Sequence, residues 1–324
     1  MLRLIYMGTP QFAVPALEAL IARSAPGELL PQGYEIVTVI TRPDKPTGRG
    51  REIIFSPVKK VALAHNIPVW QPGSFKKLEN SEALAAYRAD LYIVAAFGQI
   101  LPQVVLDQPS YGTLNIHASL LPKYRGADPI STAILQGDAE TGVSIMLLDA
   151  GIDTGPVLLS RHIPIAADET TGSLTEKLAH LGAQALLEAL PLWVAGTITP
   201  TPQDAQQASH TRMLRKEDGE IRWDKSALAI ARQIRAYIPW PGSYTHWKGK
   251  LLKIVEAQVL LQQGDASTVP GTVKIRAEAD HKTLVVVTGD GLLEVKQLQL
   301  EGKKIMAADE FLRGYGQIVG QALQ

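Results

Sequence analysis

Asn115 and His117 stand two residues apart in LNIHASLLPKYRG, the stretch from Leu114 to Gly126. On a strand, residues i and i+2 share a face, so both polar side chains point the same way. Asparagine can donate to an oxygen that is gaining negative charge, and histidine can move a proton. Together they suit acyl chemistry. A satisfied histidine closing a strand fits the same residues, and on this segment alone both readings stand. SIMLLDAGIDTGPVL adds Asp149 and Asp153 in a glycine-rich loop. A carboxylate near an imidazole orients the ring and favours its charged form, but either aspartate could simply belong to its loop. Asp-Thr-Gly also marks aspartic proteases. Those carry two such motifs in mostly β lobes, and this chain has one in an α/β setting.

A third group of residues is basic. From Arg42 to Lys60 there are six cations (Arg42, Lys45, Arg49, Arg51, Lys59, Lys60) and two acids (Asp44, Glu52), a local excess of four. Glycine and proline in the first half predict a mobile loop. Basic flexible loops suit phosphate backbones, and a solvated surface loop is the plainer alternative. Gly8 in MGTP marks a strand-to-helix turn, but the Gly-x-Gly-x-x-Gly spacing of a dinucleotide site is missing.

These residues need elements to position them. LRLIYM, YEIVTVIT, DLYIVAAFG, GTLNIHA and TGVSIMLLD read as buried strands, alternating with helical segments. Thr9-Pro10 and Ser56-Pro57 both fit a helix cap followed by a first-turn proline. Pro15 is tolerable only near such a first turn. SLTEKLAHLGAQALLEAL has apolar spacing near 3.6. The alternation predicts an α/β domain with a mostly parallel sheet over residues 1–190. Residues 191–209, rich in Pro, Thr, Gln and Ala and without a period, read as a linker. Residues 210–324 read as a small β-rich domain, expected to be a barrel, with a hairpin at Gly289-Asp290-Gly291.

Composition sets the limits. The chain has 324 residues, enough for two domains, with 32 cations against 32 acids. No global field points to nucleic acid, so any basic site is local. There is no cysteine, which excludes disulfides, thiolate catalysis and cysteine metal sites. No secretory signal or membrane-length apolar run is evident, and the expectation is a cytoplasmic protein.

With these motifs set out, a resemblance can be stated. NIHASLLPKYRG resembles the Asn-x-His and Ser-Leu-Leu-Pro-x-x-Arg-Gly signature of formyltransferases that use 10-formyltetrahydrofolate, and AGIDTG resembles the loop bearing that family's essential aspartate. MGTPQFAVPAL, TRPDKPTGRGREIIFSPVK and IRAYIPWPGSYT are similar to the branch that formylates methionyl-initiator-tRNA. The resemblance spans nearly the whole chain. It implies a Rossmann-like catalytic domain, a linker and a C-terminal, OB-like barrel that binds tRNA. It implies 10-formyltetrahydrofolate as formyl donor and no metal.

The implied catalytic set is Asn115 on the formyl oxygen, His117 as proton carrier or cation, and Asp153 holding His117. The folate site would comprise Ser119, Leu120, Leu121 and Pro122, with Phe97, Gly98, Gln99, Ile100 and Leu101 as wall. Arg42, Lys45, Arg49 and Arg51 would close over the acceptor end of the tRNA. Arg212, Arg215, Lys248, Lys250 and Lys253 are candidates along the acceptor stem. A monomer without an obligate protein partner is the default. The rivals are a formyltransferase acting on a small amine, such as an amino-sugar nucleotide, and a non-catalytic RNA-binding protein. The second predicts gaps in the Asn-His-Asp set, and there are none.

Overall fold

A computed structural model of the chain describes residues 1–47, 52–260, 268–278 and 281–324. These form two compact units: residues 1–129, 140–164 and 175–211, and residues 130–139, 165–174 and 212–324. In chain order the first elements are β1 (Leu2–Gly8), α1 (Val14–Ala22), β2 (Tyr34–Ile40), β3 (Lys45–Thr47), β4 (Glu52–Ile54), α2 (Pro57–Ala64) and β5 (Val69–Trp70). Next come α3 (Leu78–Ala85), β6 (Leu91–Ala95), α4 (Gln103–Leu106), β7 (Thr113–His117), β8 (Arg125–Gly126) and α5 (Pro129–Gln136). β9 (Glu140–Leu147), β10 (Val157–Pro164), α6 (Thr171–Val194) and β11 (His210–Thr211) follow.

The first unit is built on a seven-stranded sheet of order β10-β9-β7-β6-β1-β2-β5. β5, β2, β1, β6 and β7 run parallel. β9 and β10 are antiparallel additions beyond β7. The strand order reverses at β1, whose neighbours are β2 and β6. Every residue of β6 and β7 is buried, so these strands read as continuous runs rather than alternating ones. Chain direction changes sharply after β1. A Cβ on Gly8 would lie 2.7 Å from that of Ala13 and 3.0 Å from the Ala95 carbonyl oxygen, so only glycine fits this turn.

Two expectations shift in detail. Thr9-Pro10 does not start the helix: a 3₁₀ turn over Gln11–Ala13 intervenes, and α1 begins at Val14 with Pro15 in its first turn. Thr9 Oγ1 instead donates to the Phe97 carbonyl at 3.2 Å. Ser56 does cap α2, its hydroxyl accepting from Lys59 N at 3.1 Å. The aperiodic segment 191–209 is also structured: α6 runs through Pro191 to Val194, and Thr201 bridges Val157; just beyond it, β11 pairs with β8. Its regularity comes from contacts with distant residues, to which sequence periodicity is blind.

The second unit contains α7 (Ala227–Ala236), β12 (Ser243–Trp247), β13 (Lys250–Leu260), β14 (Val273–Glu278), β15 (His281–Val287), β16 (Leu292–Leu300), β17 (Met306–Ala307) and α8 (Ala308–Tyr315). The antiparallel order is β12-β13-β16-β15-β14, with β17 also on β16. β15 and β16 form the hairpin expected around Gly289-Asp290-Gly291. Lys248 and Gly249, both at positive φ, make the tight turn from β12 to β13. The segment 320–324 lies between the two ends of this sheet. Gln324 exchanges both backbone bonds with His246 of β12, and Gln321 accepts from Val273 N of β14 at 2.9 Å. Trp223, Ile230, Trp247, Val286, Leu293 and Phe311 are among the core residues of this unit.

Candidate active site

In open parallel sheets, sites form beyond the carboxyl ends of the strands. β7 ends there on His117, with Asn115 on the same face. Both side chains are nearly buried, at 6% and 8% exposure for His117 and Asn115. The register of β9 against β7 sets Ser144 opposite His117 and Met146 opposite Asn115. Among the described residues the Asn115 side-chain amide has no hydrogen-bond partner, so its donor is available.

The two nitrogens of His117 face different acceptors. Nε2 donates to the Tyr124 carbonyl at 3.0 Å, which fixes a proton on that nitrogen. Nδ1 faces Asp153 Oδ2 at 3.6 Å, within ion-pair range but too long for a direct hydrogen bond. The same Oδ2 accepts from Gly126 N at 2.8 Å. Asp153 and Tyr124 both take left-handed backbone conformations, with φ of +51° and +59°. Non-glycine residues adopt that region sparingly, and it clusters at functional sites. Asp149 serves its own loop, accepting from Gly151 N at 3.1 Å and from Thr154 Oγ1 at 2.7 Å. Geometry thus sets Asp153, and not Asp149, before the imidazole.

The Ser119–Pro122 turn is held from within. Ser119 Oγ donates to the Lys123 carbonyl at 2.6 Å, Ser144 Oγ donates to the Ser119 carbonyl at 2.8 Å, and Leu121 N donates to Ser144 Oγ at 3.1 Å. Leu120, Leu121 and Pro122 remain half-buried, offering an apolar surface next to His117 in sequence. Across the sheet, Arg42 lies beyond β2. Its backbone N–H donates to Thr9 Oγ1, and its guanidinium lies about 3.5 Å from where a Cβ on Gly98 would sit.

Two profiles match the chain: formyl transferase over residues 3–190, and the formyl transferase C-terminal domain over residues 213–316. A methionyl-tRNA formyltransferase from Agathobacter rectalis is 44% identical over 313 residues, covering 97% of this chain and 96% of that one. The chain belongs to the methionyl-tRNA formyltransferase family. A relative of the same name from Marinobacter nauticus is 44% identical across 99% of this chain and all of its own. Among solved structures, an N-formyltransferase from Helicobacter canadensis, in complex with folinic acid and dTDP-3-aminofucose, aligns with a TM-score of 0.63. It is 20% identical, covers 91% of this chain and 98% of its own, and shows the shared fold.

Within this formyltransferase frame the sequence-derived residues divide. Asn115, His117 and Asp153 come together as described. Along Phe97–Leu101 the side chains differ in setting: Phe97 and Leu101 are buried in a core cluster with Phe75, Val94 and Val105, whereas Ile100 is 66% exposed. Gln99 Nε2 donates to the Pro72 carbonyl at 3.1 Å. The segment expected to be a mobile loop has ordered flanks, with β3 and β4 forming an antiparallel ribbon. Arg49 and Arg51 lie outside the described residues, as does the side chain of Lys45.

Lys59 is engaged locally. It bonds Asp44, reaches Gln71 Oε1 at 2.8 Å, and sits 3.9 Å from the Phe55 ring centre. Burial works against charge on Asp44, but the bonds from Lys59 and Gln71 and the ammonium's charge outweigh it and hold the carboxyl below the usual range. In the second unit Arg212 grips Asp218 with both guanidinium nitrogens, at 2.7 and 2.5 Å. That grip holds Asp218 down at about 2. Arg215, Lys248, Lys250 and Lys253 are exposed.

Residues that sequence reasoning passed over complete the surroundings of His117. Arg125, Gln203 and Ser209 fasten the two chain segments that face the imidazole. Ser209 accepts from Tyr124 N on its hydroxyl at 2.9 Å, and from Arg125 N on its carbonyl at 2.8 Å. Gln203 and Ser209 sit in the aperiodic segment, and nothing local in the sequence singles them out. Among the described residues, no group of three His, Asp or Glu is placed to hold a metal, and no helix is long and apolar enough to cross a membrane.

Proposed function

We infer that this chain transfers a formyl group from 10-formyltetrahydrofolate to the α-amino group of methionyl-initiator-tRNA, supporting translation initiation. End-to-end similarity at 44% identity to methionyl-tRNA formyltransferases carries this reading. The nearly buried Asn115 amide and the half-buried apolar Leu120–Pro122 turn, on the same strand and the loop that follows it, fit a folate carrying a formyl group. That donor supplies an already activated one-carbon acyl group when bound. The acceptor amine, with a free pKa of about 7.7–8.0, is roughly a tenth neutral at pH 7. The protein therefore needs no strong nucleophile, which accords with a chain that has no cysteine.

The work left to the residues is orientation, charge and proton handling. Asn115 donates to the formyl oxygen as it takes on negative charge. His117 Nε2 is committed to the Tyr124 carbonyl, so Nδ1 is the ring position that can take the proton leaving the amine. Asp153 stands opposite that nitrogen and stabilises the charge that arrives there. The gap of 3.6 Å suits relay through a water at the rim of the pair. Holding both substrates in register supplies much of the acceleration, since well-oriented reactants gain about 7–11 kcal/mol. Arg42, Lys45, Arg49 and Arg51 close over the acceptor end of the tRNA, and the exposed cations of the second unit line its acceptor stem. The reading includes a cytoplasmic, monomeric enzyme that uses no metal.

The test is a competition. The protein is incubated with the folate donor, methionyl-initiator-tRNA, and a set of small amines that includes an amino-sugar nucleotide. Formylation confined to methionyl-tRNA is the expected result. Formylation of the small amine alone would replace the acceptor in this reading, and no formylation of any acceptor would remove the activity.

A further inference from the structure

Gln203 takes no direct part in the transfer described above, yet its side chain joins four hydrogen bonds. Oε1 accepts from Arg125 Nε at 3.0 Å and from Arg125 Nη2 at 2.9 Å. Nε2 donates to the Asp153 carbonyl at 2.8 Å and to the Gly155 carbonyl at 2.7 Å. An amide has two acceptor sites and two N–H groups, so all of its capacity is used. Turning the amide over would set its N–H groups against a guanidinium, so the partners fix its orientation.

The two segments it joins are those facing His117. Arg125 is buried at 6% exposure and follows Tyr124, whose carbonyl accepts from His117 Nε2. Asp153 faces His117 Nδ1 from a left-handed backbone that needs external support. Gly155 is pressed against the end of β9, where a Cβ would meet the Leu147 carbonyl oxygen at 1.9 Å. The 153–155 loop is thus held by packing at Gly155, by the Thr154 bond to Asp149 and the Gly126 bond to the Asp153 carboxylate, and by the Gln203 amide on the carbonyls of Asp153 and Gly155.

We propose that Gln203 is a positioning residue for formyl transfer, holding the Asp153 carboxylate at its distance from His117 through the backbone of the 153–155 loop. This rests on the roles of His117 and Asp153 proposed above. Misplacement of a catalytic group by about 1 Å can cost on the order of a hundredfold in rate.

The test uses the full chain with donor and methionyl-tRNA, in a double-mutant cycle of Gln203→Leu and Asp153→Asn. Gln203→Leu is expected to lower kcat by roughly 10- to 100-fold, leaving both KM values within about twofold. In the Asp153→Asn background the same change is expected to lower kcat by less than about threefold, because nothing is left to position. Gln203→Glu keeps an acceptor for Arg125 and loses both donors to the loop. It should show the same loss of kcat with the thermal midpoint of the parent, and it carries the test if Gln203→Leu does not fold. Unchanged kcat in Gln203→Glu, or equal losses in both backgrounds, overturns the proposal. Parental kcat in Asp153→Asn alone would overturn the catalytic role of Asp153 and this inference with it. An enzyme that depends on Asp153 but ignores Gln203 sinks the inference only.

Discussion

Replacing Asp153 by Asn removes one charge and little else. Asparagine tolerates the left-handed backbone at φ +51°, and its carbonyl oxygen can still accept from Gly126 N. The loop should therefore keep its course. What disappears is the attraction across 3.6 Å between the carboxylate and a proton on His117 Nδ1. At an effective dielectric of about 20, two unit charges at that separation attract by about 4–5 kcal/mol. Asp153 is 16% exposed and His117 7% exposed, so solvent screens part of this, leaving roughly 2–4 kcal/mol. If that stabilisation is felt only as the amine gives up its proton, kcat falls by about 30- to 1,000-fold while both KM values hold. The assay is the initial rate of formyl-methionyl-tRNA formation at saturating donor, with the thermal midpoint as control for folding. A correctly folded variant whose kcat stays within threefold of the parent would refute the electrostatic account of this pair.

Three further outcomes are expected. Arg49→Ala or Arg51→Ala should raise KM for tRNA several-fold and flatten its dependence on salt, with donor KM unchanged; identical tRNA kinetics would reduce the segment to a surface feature. Asp218 has its carboxyl held at about 2 by Arg212, below its ordinary 3.8. Its contribution is present above about pH 4 and is lost as pH falls through about 2. Because Arg212 is open to solvent, the increment stays below about 1 kcal/mol, and urea unfolding of Asp218→Asn between pH 5 and 2 should show a shallower acid limb. Leu323→Ala, at a position 5% exposed in the segment between β12 and β14, should cost about 2–4 kcal/mol in denaturant unfolding.

Much of this was legible because it is local. The apolar runs that became β1, β2, β6 and β7 are continuous, as buried parallel strands require, the antiparallel β9 is continuous as well, and Ser56-Pro57 announced α2 by its own chemistry. The pairing of Asn115 with His117 follows from strand period, and the choice of Asp153 came with the family motif. Phe97 and Leu101 show where composition stops, since a core aromatic and a ligand wall look alike in sequence and only packing places both in the cluster around Phe75. Gln203 and Ser209 were invisible for a different reason. Their significance lies in bonds to residues 48 to 85 positions away, and no window along the chain contains both partners.

Those separations also bear on how the site matures. β7 and the strands around it can close their ladders before residue 203 or 209 finds its place. The carbonyl behind His117 Nε2 and the carboxylate before Nδ1 become rigid only when the 197–211 segment docks. Such closures span separations comparable to the β1–β6 ladder of the sheet, where Leu4 and Leu91 are paired 87 positions apart. An intact parallel sheet alone therefore leaves both partners of the imidazole unheld. Competence thus depends on a second set of long-range contacts, distinct from the ladders of the sheet that carries it.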